Sequence, residues 1–277
     1  MAAVSGPPVP DLPPGRPPVS DLPELLDLAE RAASSGAEIV RGARPELPAE
    51  VKGAGDYVTA VDRESERAIA RVLSDGAPQI PVLGEEEGGR TGERYWLVDP
   101  LDGTTNYLHG FPAVGISVAL VEHGRPRIGV VHAPFLGETY RAGRGLGASR
   151  RLGERDPEPL SVSGRPPERA IVATGFPFRR KEALPRYLEV FRRCFLTFED
   201  LRRPGAASLD LAWVAAGVFD GFFELGLSPW DVAAGALLIE EAGGLVTDWE
   251  GGTDYLSGNI LGGSPEIHSQ LLAIANA

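Results

Sequence analysis

The sequence predicts an α/β protein in which helices and sheets are layered along a single chain of 277 residues. Three observations predict it. Stretches with apolar residues at three- and four-residue spacing, read as helices, cover residues 22–42, 60–73, 181–195, 208–218, 230–242 and 265–275. Short runs of β-branched, aromatic and other apolar residues lie between them, at 80–83, 95–98, 114–121, 127–132, 171–174, 219–225, 245–247 and 259–261. Alternation of the two kinds favours stacked layers over a helical bundle or an all-β sandwich.

In chain order, residues 1–20 carry seven prolines and no apolar segment, which reads as a disordered extension and not as a signal peptide. The folded unit is expected from residue 21 to 277. Asp21-Leu22-Pro23 opens a helix on which Leu22, Leu25, Leu26, Ala29, Ala33, Ala37 and Val40 form a stripe, ending near Gly42. Residues 52–59 read as a loop. The next helix shares Val61, Ala68, Ile69, Val72 and Leu73 on one face, with Asp62 in its first turn. Residues 114–121 and 127–132 form a hairpin through His123-Gly124-Arg125-Pro126. Residues 143–153 read as a Gly/Arg-rich loop, and the weak core signal between 142 and 170 places a sub-domain boundary there, with one half to about residue 150 and the other from about 165. A strand at 171–174, helices at 181–195 and 208–218, and a strand at 219–225 interrupted by Gly221 precede the last helix–strand units. No internal repeat is present.

Composition excludes several functions. At 43% apolar and 24% charged the chain is typical of a soluble globular protein large enough for a substantial core. It has no apolar run near the ~20 residues of a membrane span. One cysteine, Cys194, rules out an internal disulfide framework and fits the cytoplasm; its helical setting makes it a packed thiol. The net charge of −12 argues against direct nucleic-acid binding, which needs a basic surface. The four histidines, His109, His123, His132 and His268, lack metal-ligand spacing.

The chemistry concentrates in Trp96-Leu97-Val98-Asp99-Pro100-Leu101-Asp102-Gly103-Thr104-Thr105-Asn106-Tyr107. Pro100 cannot donate a ladder hydrogen bond, so the strand is expected to end at Asp99; Gly103 permits a tight bend, and Thr104 is placed to cap a helical turn. Two carboxylates with the Leu101 carbonyl between them form a set of hard oxygen ligands suited to Mg²⁺. The Gly103 and Thr104 amides, opening a helical turn, suit an anion. A solvated Asp/Gly/Pro turn accounts for the bare motif equally well. Two further acidic loop mouths, Gly84-Glu85-Glu86-Glu87-Gly88-Gly89 and Pro229-Trp230-Asp231, favour convergence on a metal. For Asp62, favourable helix-dipole electrostatics of about 0.3–1 kcal/mol is the alternative to a role at the site.

With Gly84-Glu85-Glu86 upstream and Trp230-Asp231-Val232-Ala233-Ala234-Gly235 downstream, this stretch resembles the inositol monophosphatase family of Mg²⁺-dependent sugar phosphatases, over residues from about 22 to the C-terminus. Thr174-Gly175-Phe176-Pro177-Phe178 and residues 212–227 are similar to its bacterial SuhB-type branch. The resemblance implies an α-β-α-β-α sandwich and hydrolysis of a small polyol phosphate, inositol 1-phosphate first, by direct water attack. It implies two or three Mg²⁺ ions, one held by Glu85, Asp99 and the Leu101 carbonyl, a second by Asp99, Asp102 and Asp231, and a third near Glu85. Glu85, Thr104 and Asp62 would orient and deprotonate the water. Asp102, Gly103, Thr104, Ala207, Glu224 and Asp231 would contact substrate, although Glu224 reads equally as a capped strand end. Trp230 would pack behind Asp231.

The family pattern Gly-Ser/Thr-Ala-Ala stands here as Gly205-Ala206-Ala207-Ser208. The hydroxyl is lost at 206 and gained at 208, which bears on substrate preference. Thr105-Asn106-Tyr107 resembles the inositol branch over the phosphoadenosine-phosphate branch, while histidinol-phosphate and fructose-bisphosphate phosphatases share the metal motifs. The resemblance also implies a homodimer, sensitivity to Li⁺ and, as a different class of function, a regulatory binding protein contacting the transcription machinery.

Overall fold

In the computed structural model, which describes residues 21–43, 50–53 and 56–277 (50–53 and 56–58 as backbone only), two helices open the fold against one face of a large sheet. Helix α1 (Leu22–Gly42) starts where Asp21 accepts a hydrogen bond from the Glu24 amide and Pro23 occupies the first turn. It buries the predicted stripe except for Leu22, which is half-buried, together with Leu28 and Ala32. The Pro-rich extension expected over residues 1–20 lies outside the described residues.

Strands β1 (Glu50–Gly53) and β2 (Asp56–Val58) form an antiparallel pair where a loop is predicted, so main-chain pairing organises a segment whose side-chain pattern gives no strand signal. Helix α2 (Ala60–Gly76) follows. It buries Asp62, Ser65, Glu66, Ile69 and Leu73 and leaves Val61, Ala68 and Val72 only half-buried. The predicted apolar face is therefore rotated towards the polar side, because three polar residues find partners there: Asp62 in Thr59 and Thr104, Ser65 in the Pro100 carbonyl, and Glu66 in the Glu86 and Glu87 amides.

Strands β3 (Val82–Gly84), β4 (Arg94–Asp102), β5 (Gly115–Glu122), β6 (Arg125–Ala133), β7 (Glu138–Gly143), β8 (Gly147–Leu152) and β9 (Glu158–Pro159) make one sheet in that order, with helix α3 (Thr104–Leu108) between β4 and β5. The β5–β6 turn is the tight type expected of His123-Gly124, both at positive φ (50° and 74°). Residues 147–152, predicted as loop, form β8 paired to β7; Gly145 and Gly147, both at positive φ, allow a hairpin that a loop-like composition conceals.

The second half contributes β10 (Ile171–Thr174), α4 (Leu184–Thr197), β11 (Asp200–Arg202), α5 (Ala207–Ala215), β12 (Gly221–Glu224), α6 (Pro229–Glu241), β13 (Leu245–Thr247), β14 (Ile260–Gly263) and α7 (Pro265–Ala275). Its sheet runs β11-β10-β12-β14-β13, and β12 begins at Gly221 rather than being broken by it. Helices α5 and α6 lie between the two sheets, while α4 and α7 cover the outer face of the smaller one. The stack is α1/α2, large sheet, α5/α6, small sheet, α4/α7.

Three apolar cores follow. One joins α1 and α2 to the large sheet, one surrounds α5 and α6, and one lies beneath α4 and α7. The middle helices are apolar on nearly every side because sheets flank both faces. Cys194 is buried in the outer core, and burial pushes its thiol up to about 12, consistent with the packed role predicted.

A candidate metal and phosphate site between the sheets

The site forms where β4 leaves the large sheet. This strand does not end at Asp99; it continues through Pro100 to Asp102, with pairing to β5 shifting between Asp99 and Asp102. The irregularity absorbs the proline's missing donor. Ser65 Oγ donates to the Pro100 carbonyl at 2.9 Å, and the Leu101 amide donates to Asp99 Oδ1 at 3.0 Å, so both sides of the bend are fixed.

Gly103 then occupies the helix N-cap at φ 90°, ψ 39°. A Cβ there would also approach the Ala113 carbonyl to 3.0 Å. Gly103→Ala is expected to lose about 1–2 kcal/mol of stability, the cost of a left-handed residue bearing Cβ, measurable as a lower denaturation midpoint. Thr104 is not the predicted cap. It is the first helical residue, and its hydroxyl lies 3.1 Å from Asp62 Oδ1 and 3.2 Å from the Leu101 carbonyl. Asp62 in turn accepts from the Thr59 amide at 2.9 Å and from its hydroxyl, a capping box that turns the carboxylate towards Thr104.

Glu85 is positioned by a residue the sequence reading missed. Buried Glu66 on α2 accepts hydrogen bonds from the Glu86 and Glu87 amides, each at 2.8 Å, and so holds the loop carrying Glu85. A Cβ on Gly84 would fall within 2.2 Å of that carboxylate. The signal available was the Asp62/Glu66 spacing, two acids one turn apart on one helix face. From the opposite side, Asp231 enters on the first turn of α6, where its Oδ2 accepts from the Ser228 amide at 2.7 Å. Half-buried Trp230 packs against the middle core beside it, as predicted.

Glu85, Asp99 and Asp231 each place a carboxylate oxygen within 4.8 Å of the others. They line a cavity of about 470 Å³ shared with Leu101, Asp102, Gly103, Thr104, Ala207 and Glu224. Asp62 touches this group through Thr104. Lys52, in the segment between α1 and α2, is described as backbone only.

Three charged residues lining the cavity were not anticipated: Asp210 on α5, and Arg179 and Arg203 on loops. The Arg179 guanidinium approaches Glu85 at 3.6 Å and Asp231 at 3.7 Å, and Arg203 stacks over Phe176 and Phe178. Local sequence carries no mark for them, since the contacts join segments far apart in the chain.

Burial and crowding dominate the electrostatics. Burial, then the charges of Glu85, Asp102 and Asp231, pushes Asp99 well above the usual carboxylate range. Burial and Asp231 raise Asp102 to about 7, opposed by hydrogen bonds from Ser208. Burial, then Asp231, raises Glu224 to about 8. Burial likewise raises Asp62 and Asp210, and Asp210 Oδ1 has no hydrogen-bond partner among the described residues. Carboxylates this close, desolvated and all of oxygen type, fit a hard divalent cation, which relieves the repulsion that otherwise holds protons on them.

Layers in this order, with an oxygen-lined acidic mouth between the sheets, place the chain in the sugar-phosphatase fold class. The chain belongs to the inositol monophosphatase family, whose model matches residues 21–277. Among its relatives, Nus factor SuhB of Pseudomonas aeruginosa is 44% identical over 260 residues, covering 90% of this chain and 94% of that protein. Nus factor SuhB of Escherichia coli K12 is 40% identical over 257 residues, with the same coverage. Of solved structures, extragenic suppressor protein suhB from Bartonella henselae has a TM-score of 0.83 at 38% identity, covering 91% of this chain and 98% of that one. Inositol monophosphatase from Anabaena has a TM-score of 0.82 at 36% identity, covering 92% and 96%.

Proposed function

We propose that the chain hydrolyses the phosphate monoester of a small polyol, inositol 1-phosphate first, in a Mg²⁺-dependent reaction in which water attacks phosphorus directly. The observation that carries this is the meeting of Glu85, Asp99 and Asp231 in the cavity that Thr104 and Glu224 also line. Glu85, Asp99, Asp102, Asp231 and the Leu101 carbonyl would hold two or three Mg²⁺ ions. When bound, Mg²⁺ neutralises phosphoryl oxygens and favours ionisation of both the attacking water and the leaving oxygen. Thr104 takes the proton of the attacking water as its own passes to Asp62, with Glu85 orienting that water from the other wall. The Gly103 and Thr104 amides, without intrahelical acceptors, hold phosphate oxygens. Glu224 and the Ala207 amide bind the polyol.

Phosphate release tests this with inositol 1-phosphate, histidinol phosphate, fructose 1,6-bisphosphate and phosphoadenosine phosphate, with and without Mg²⁺. Mg²⁺-dependent turnover of the first supports the reading; preference for another member reassigns the substrate, and no turnover of any removes the hydrolase reading.

A homodimer, Li⁺ sensitivity and a cytoplasmic location belong to the same proposal. For the dimer, Leu184, Leu188 and Phe195 share one face of α4, and Phe195 and Leu196 are 67% and 70% exposed. Charged substitution of Phe195 and Leu196 together is expected to halve the mass measured by light scattering; a wild-type protein that is already monomeric rules the dimer out. The relatives named Nus factor SuhB favour a second reading, contact with transcription machinery. Recovery of the same transcription proteins by wild type and Asp99→Asn would support a binding role separate from hydrolysis, and recovery of none would count against it.

A further inference from the structure

Helix α5 begins beside the metal-binding bend, and its second residue makes a contact that the reaction above leaves unused. Asp102 Oδ2 accepts a hydrogen bond from the Ser208 amide at 2.7 Å and a second from the Ser208 hydroxyl at 2.6 Å. Two donors fill the lone pairs of this one oxygen, which leaves Oδ1 as the oxygen available to the cavity. Both donors come from one fully buried residue at the first turn of a helix, where backbone geometry is fixed.

The opposite strand is shaped for this hydroxyl. Gly115 is the β5 partner of Asp102, and a Cβ added there would lie 2.6 Å from Ser208 Oγ but 3.8 Å from Asp102. Gly115 has no left-handed backbone to explain it, so the space beside the hydroxyl does. Position 206 faces elsewhere: a Cβ on Gly103 would meet the Ala206 methyl at 3.3 Å. The hydroxyl displaced from 206 to 208 in this chain has therefore exchanged a position beside the Gly103 turn for a direct bond to a carboxylate.

We propose that Ser208 is a positioning residue that clamps Asp102, with Gly115 as the socket for its hydroxyl, and that this clamp sets the affinity of the site for Mg²⁺. The inference rests on the Mg²⁺ reading given above. A hydroxyl donating to a carboxylate is a charge-assisted bond, and partners of this kind around a metal ligand are worth about 10–100-fold in metal affinity. Losing the hydroxyl leaves Oδ2 with one donor and frees the carboxylate to rotate.

Titration calorimetry of Mg²⁺ into the full chain tests it without turnover. Ser208→Ala is expected to weaken Mg²⁺ binding about 10-fold, at the lower end of that range, whereas Ser208→Thr, which keeps the hydroxyl, stays close to wild type. Gly115→Ala leaves the hydroxyl in place chemically but crowds it, and is expected to weaken binding in the same direction. The double variant Gly115→Ala/Ser208→Ala should then bind no more weakly than Ser208→Ala alone, since the crowded atom has gone. Wild-type affinity in Ser208→Ala, or strict additivity in the double variant, overturns the clamp; so does a lower melting temperature in EDTA with unchanged Mg²⁺ affinity, which marks a structural role only. Wild-type binding that is lost in Asp102→Asn but kept in Ser208→Ala overturns the clamp and leaves the Mg²⁺ reading standing, while a wild type that binds no Mg²⁺ overturns both.

Discussion

Asp99→Asn is expected to abolish Mg²⁺-dependent phosphate release while making the metal-free protein more stable. Asp99 is buried between Glu85, Asp102 and Asp231, and all three raise its pKa in addition to burial. The amide is nearly isosteric and its oxygen can still accept the Leu101 amide, so the bend is retained. The negative charge is not. A cation site that loses its central carboxylate loses both affinity and field, and a fall in turnover of at least about 10³-fold is expected, since groups aimed at developing charge are each worth about 10²–10³. Without metal the sign reverses, because the variant removes one of four mutually repelling groups. Its melting temperature in EDTA at pH 8 should rise by a few degrees, as about 1 kcal/mol corresponds to roughly 2–4 °C for a chain of this size. Retained activity would remove Asp99 from the reaction; lost activity with a lower melting temperature in EDTA would mean the side chain serves folding instead.

Mg²⁺ itself is expected to raise the melting temperature, and by more at pH 8 than at pH 6. Asp102 and Glu224 have pKa values raised to about 7 and about 8 in the folded protein. A carboxyl raised on folding contributes stability that is fully present below its unfolded value, near 4, and is lost as pH rises through the folded value. Between pH 6 and 8 the metal-free protein therefore loses protons and stability together. Over the same interval bound Mg²⁺ gains, because its ligands need no longer release protons to receive it. At a concentration 100 times the dissociation constant the stabilisation is about 2.7 kcal/mol, or roughly 5–10 °C. Differential scanning fluorimetry in EDTA and in Mg²⁺ at the two pH values reads the effect directly. Coincident curves at pH 8 would show that these carboxylates do not form a cation site.

Much of this site was legible one residue at a time. Asp99, Asp102, Gly103 and Thr104 sit in one short stretch whose proline, glycine and carboxylates are chemically distinctive, and Glu85 and Asp231 each stand at the mouth of another element. Periodicity alone located α1, α4, α6 and α7, because each needs an apolar stripe or an all-apolar surface to pack. It failed where the backbone, not the side chain, makes the element: the β1–β2 pair and β8 have no alternating pattern to betray them.

What the linear chain could not decide is which groups meet across layers. Glu66 supports the Glu85 loop, Ser208 bonds Asp102 from 106 positions away, and Arg179 reaches Glu85 and Asp231 from a third segment. The same holds for Thr104, read locally as a cap but drawn instead to Asp62 by the packing of α2 over the bend. Local sequence determined the donor atoms and the turn that presents them, since those depend on residue type and short-range backbone geometry. The tertiary structure alone decided their partners and their protonation, because burial between two sheets and the distance between charges are properties of the assembled layers.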